Sequence, residues 1–143
     1  MRIADYTARL LALSETLHRW LGALAGLDAQ RREKIAGYAD EIAATLARAA
    51  DALQRLETRP DDTLARRGAI REFGRIAGYV ENLVSALEHH LDGRKLAGVK
   101  RRLELLANGA PLDHIDAPTE HVRIDRLLAA EGYFRALADG LRV

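Results

Sequence analysis

The sequence contains no cysteine. Disulfides, thiolate metal sites and cysteine nucleophiles are therefore excluded. Proline occurs only at Pro60, Pro111 and Pro118, each outside a helical pattern. Aromatic residues make up 5% of the chain, and Val, Ile and Thr are scarce beside Ala and Leu. That deficit disfavours sheet, because β-branched and aromatic side chains fill strands, whereas Ala and Leu lose little freedom in a helix. No run approaches the roughly 20 apolar residues of a membrane span. The opening MRIADYTARL carries Asp5 early and lacks the apolar stretch of a signal peptide, so a cytoplasmic location is expected. Neither sign of charge dominates: 22 Lys and Arg face 21 Asp and Glu, for a net charge of +1. No global field then draws the chain to nucleic acid or a membrane surface. Lysine is nearly missing too, occurring only at Lys34, Lys95 and Lys100; the other cations are arginine.

What is present is helical periodicity. The length of 143 residues is that of one domain, 1–143, large enough to bury a core of its own. Ile3, Tyr6, Leu10, Leu13, Leu17, Trp20, Leu24 and Leu27 recur at steps of three and four, predicting a helix over 3–25 that ends at Gly26. Asp28 is a good N-cap for a second helix over 29–57. Its seam is Ile35, Ala39, Ile42, Leu46, Ala49, Leu53 and Leu56, flanked by a row of small residues at Ala36, Ala43 and Ala50. Thr58-Arg59-Pro60-Asp61-Asp62 reads as a turn followed by helix-start carboxylates. A third helix runs from there to Asp92, with seam Ile70, Phe73, Ala77, Val80, Val84, Leu87 and Leu91, widened by Ile76 and Leu83. The apolar phase then turns sharply, which places a break at Asp92-Gly93 before a short helix over 94–107. After a loop over 108–118, a last helix reaches Leu141 along Leu127, Ala130, Phe134, Leu137 and Leu141, widened by Ile124 and Leu128. The fold expected is all-α, an antiparallel helical bundle of four long helices plus one short helix. Several stripes are wider than such a monomer requires, and self-association through the second and third helices is the natural expectation.

The chemistry-bearing residues yield no catalytic set and no cofactor. Glu15 and His18 have the Glu-x-x-His spacing of a di-iron ligand pair, but no second copy exists and both are expected on the solvated face of the first helix. His89 and His90 lie near the end of the third helix, where the helix dipole favours imidazolium. The 113–125 segment gathers acids and imidazoles; His114, Asp116, His121 and Asp125 are its candidate metal ligands, with His121 and Asp125 one turn apart. A polar loop leading into the acidic first turn of a helix accounts for most of the same residues. Arg94, Lys95, Arg101 and Arg102 form a basic stripe opposite Leu96, Val99, Leu103 and Leu106, a face suited to phosphates or to an acidic partner. No aromatic interleaves with it, which weakens a platform for stacking single-stranded bases. The expectation is a non-enzymatic helical interaction module acting on a protein partner or a second copy of itself. The alternatives are a metal or ligand binder, or an enzyme, using 113–125, and a nucleic-acid accessory subunit using the stripe at 94–102.

Overall fold

A computed structural model describes residues 3–87, 93–94, 97–98, 101 and 122–143, with side chains described at all of these except 3, 4, 21, 122 and 123. The chain is all-α. Its helices are α1 (Ile3–Arg19), α2 (Leu21–Leu24), α3 (Ala29–Thr58), α4 (Thr63–Leu87) and α5 (Val122–Leu141), and no strand occurs among the described residues. Four are long and one, α2, is a single turn. The short helix expected over 94–107 lies largely outside the described residues; Arg94, Ala97, Gly98 and Arg101 are helical. Of the expected break at Asp92-Gly93, Asp92 lies outside the described residues and Gly93 is helical.

The helix boundaries follow local chemistry. Asp28 caps α3 from an extended conformation, its Oδ1 accepting from the Arg31 N–H at 2.9 Å. Asp62 does the same for α4, accepting from the Ala65 N–H at 3.0 Å. Between them the turn is closed by Arg59 N–H donating to the Arg55 carbonyl at 2.8 Å. The first helix is shorter than its periodicity predicts. Trp20 N–H donates to the Leu17 carbonyl at 3.1 Å, a three-residue bond that tightens and ends α1. Gly22, a poor helix former, then leaves only the single turn of α2. Trp20 consequently leaves the seam and is only partly buried, whereas Leu24 beyond it is buried.

α3 is the centre of the arrangement. It packs against α4 on one side and α5 on another, and α5 packs in turn against α1. Arg48 of α3 meets Glu72 of α4 across the turn, so these two run antiparallel. Arg142, just past the end of α5, reaches Glu33 near the start of α3, so that pair is antiparallel as well. Because α3 begins where α1 and α2 end, α1 and α5 lie side by side in the same direction. α1 and α4 are linked by Tyr6 and Phe73, edge to face with ring centroids 5.4 Å apart.

The small-residue row of α3 explains its central position. Ala36, Ala43 and Ala50 are buried, and they share a helix face with Glu33 and Asp40, the residues that hold Arg142. Methyl groups along that row let α5 approach closely, while Thr45 and Ala52 on another flank face the α4 side. The apolar width that suggested self-association through these helices is thus taken up inside the chain at α3. In α4 the buried line is Ala69, Phe73, Ile76, Val80, Leu83 and Leu87. Ile76 and Leu83, expected as a flank, are central, and Ile70 and Ala77 of the expected seam are only partly buried. In α5 the expected Leu128 is 49% exposed, and Ala138 takes its place in the core.

Candidate functional site

The hairpin of α3 and α4 crosses over at Pro60, so residues equally far from that turn face each other. Arg48 and Glu72 are one such pair, and Ala52 and Gly68 another. On the outer side of the hairpin this facing leaves a groove of about 250 Å³. Its cations are Arg48, Arg55 and Arg71; its small residues are Ala52, Ala65 and Gly68. A second opening of about 440 Å³ near the turn shares Asp51 and Arg55 with it.

One end of the groove carries a held arginine. Glu72 is a charged residue in the buried set of α4, its side chain 7% exposed. It occupies that position because the row Ala65, Ala69, Glu72 and Ile76 turns toward α3, and a carboxylate there requires a cation. Arg48 supplies it, donating from Nε to Glu72 Oε2 at 3.2 Å. A second nitrogen, Nη2, donates to Thr45 Oγ1 at 3.1 Å, and the Thr45 hydroxyl donates to the Glu41 carbonyl at 2.7 Å. Arg75 approaches the other Glu72 oxygen at 4.0 Å, and a hydrogen bond to the Tyr79 oxygen raises its pKa. The Arg48 guanidinium is therefore fixed while its side chain stays 45% exposed. Arg55 and Arg71 line the same groove and form no ion pair among the described residues. Leu64 stands at its edge, 81% exposed. Such an arrangement has the chemistry to accept carboxylates: planar guanidinium forks, one of them preset, beside a strip of apolar surface.

The residues singled out from sequence are placed differently. Of the metal candidates, His114, Asp116 and His121 lie outside the described residues. Asp125 is exposed in the first turn of α5, where a carboxylate is favoured by the helix dipole. Of the basic stripe, Lys95 and Arg102 lie outside the described residues; Arg94 and Arg101 are both exposed and helical, seven residues apart. His89 and His90 also lie outside. Among the described residues no three His, Asp or Glu side chains gather as a metal cluster. His18 departs from its expected solvated position. It is partly buried with its ring 5.4 Å from that of Tyr133 on α5, and its Nδ1 is buried without a hydrogen-bond partner among the described residues. The cause is the neighbour: α5 packs on α1 along the flank that carries His18.

The groove itself was missed by pattern reading, although one signal was present. Glu72 falls in phase with the core-facing residues of α4, and a charge in that phase needs a partner near its mirror position across Pro60, which is Arg48. Compared with protein families, curated proteins and solved structures, the chain matches none. Among the described residues no helix is long and apolar enough to cross a membrane.

Proposed function

We propose that the chain is a non-enzymatic interaction module, an adaptor, regulator or small accessory subunit that meets a protein partner through its helix faces. The α3–α4 groove carries this reading. The hairpin displays one guanidinium held by a buried carboxylate, two guanidiniums that pair with no described carboxylate, and an exposed leucine. Other described carboxylates serve the framework: Asp28 and Asp62 cap helices, and Glu33 and Asp40 hold Arg142. The test is affinity purification from the native cell with mass spectrometry, followed by reconstitution of the complex from purified components. A stoichiometric complex, or a defined oligomer of the chain by light scattering, is expected. A strict monomer that yields no reconstitutable partner refutes the reading.

A further inference from the structure

We infer that the outer groove of the α3–α4 hairpin is the docking site for an acidic, partly apolar peptide segment of the partner; this rests on the interaction-module reading above. Three observations select that occupant. First, Arg48, Arg55 and Arg71 outnumber Asp51 and Glu72 in the groove; Arg55 and Arg71 form no ion pair with a described carboxylate, and Arg48 is held by Glu72 and Thr45. A guanidinium offers a planar fork that matches a carboxylate bidentately, and Arg48 loses little freedom on binding because its position is already set. Second, Ala52 and Gly68 make the floor shallow and apolar, and Leu64 projects beside it, so the occupant contributes a hydrophobic residue next to its acids. Third, no aromatic lines the groove among the described residues. A single-stranded nucleic acid would find no ring on which to stack a base, whereas a peptide can place single carboxylates against single arginines. The groove spans Arg48 to Arg55, about two helical turns or roughly 10 Å at 1.5 Å per residue, which accommodates two turns of a partner helix.

The experiment uses the full chain, isotope-labelled, and a short synthetic amphipathic peptide with glutamates beside a leucine stripe. Amide shifts are expected to move at Arg48, Ala52, Arg55, Leu64, Gly68 and Arg71. The variant carrying Arg55→Glu and Arg71→Glu removes no described ion pair, so it melts like the parent and binds the peptide roughly tenfold more weakly or worse. Gly68→Trp is a second, charge-neutral block: a Cβ at that position would meet nothing within 4 Å, so the ring fills the groove rather than the core. The same peptide with glutamine for glutamate loses binding. Absence of binding overturns the proposal. So do shifts that map elsewhere, variants that bind as well as the parent, or a single-stranded oligonucleotide that occupies the groove more tightly than the peptide. A cellular partner that still binds the double variant refutes the groove while leaving the module reading intact; loss of that partner supports both.

Discussion

Tyr6 is wholly buried, yet its hydroxyl meets no hydrogen-bond partner among the described residues. Burial raises its pKa to about 12. An unsatisfied buried polar group costs roughly 1–3 kcal/mol, so Tyr6→Phe, which keeps the ring against Phe73, stabilises the fold by about 1 kcal/mol in denaturant titration. The raised pKa has a signed consequence. Unfolded chains lose the phenolic proton near pH 10 while the folded one keeps it, so stability present below pH 10 is lost as pH rises toward about 12. Thermal melts across that range should decline more steeply for the parent than for Tyr6→Phe. Glu72 and Arg48 show the opposite asymmetry. Removing Arg48 leaves a carboxylate 7% exposed with only Arg75 at 4.0 Å, so Arg48→Ala costs about 1–3 kcal/mol. In the double variant with Glu72→Leu most of that loss is recovered, because no charge is then left buried; a double variant as unstable as Arg48→Ala would show that the pair is not the cause.

The helices themselves were largely legible in the sequence. Leu10, Leu13, Leu17, Ile35, Ile42, Leu46, Leu53, Phe73, Val80, Phe134 and Leu137 are spaced for one face and all are buried. The N-cap at Asp28, the helix-start carboxylates at Asp61-Asp62 and the turn at Pro60 were legible for the same reason: each is a local preference that packing had no cause to override. What escaped was set by neighbours. Ile70 and Ala77 fit a period of 3.5, but the orientation of α4 toward its neighbours moved the buried line onto Ile76 and Leu83. His18 looked solvated until α5 lay along that flank. The groove escaped because it belongs to two helices at once, and only the pairing of positions across Pro60 brings Arg48, Glu72 and Arg71 together. Ala43 tests the packing account of α3. Its methyl lies on the row facing α5, so Ala43→Leu overpacks that seam and costs about 1–3 kcal/mol, whereas the same change at half-exposed Ala44 costs little.

Across the molecule, α5 is tied to α3 by charge at one end. Arg142 donates to both Glu33 oxygens, at 3.2 and 3.1 Å from Nε, and to Asp40, while Arg32 donates to the Val143 carbonyl at 3.4 Å. The hydrogen bond from Arg142 holds the Glu33 pKa below its ordinary value. Its contribution is therefore present above the unfolded carboxyl pKa of about 4.3 and lost as pH falls through the lower folded value. The melting difference between the parent and Arg142→Ala shrinks below about pH 4, and shrinks also with added salt, because the cluster is exposed. A difference unchanged by acid would mean that α5 is held by its apolar face alone. The turn at Arg59–Asp61 is exposed, and the packing of α3 on α4, α3 on α5 and α1 on α5 all joins chain from one side of that turn to chain from the other. Severing the backbone there would yield two halves, each bearing greasy surfaces that only the other can cover. Expressed together, they would reassemble as a complementing pair.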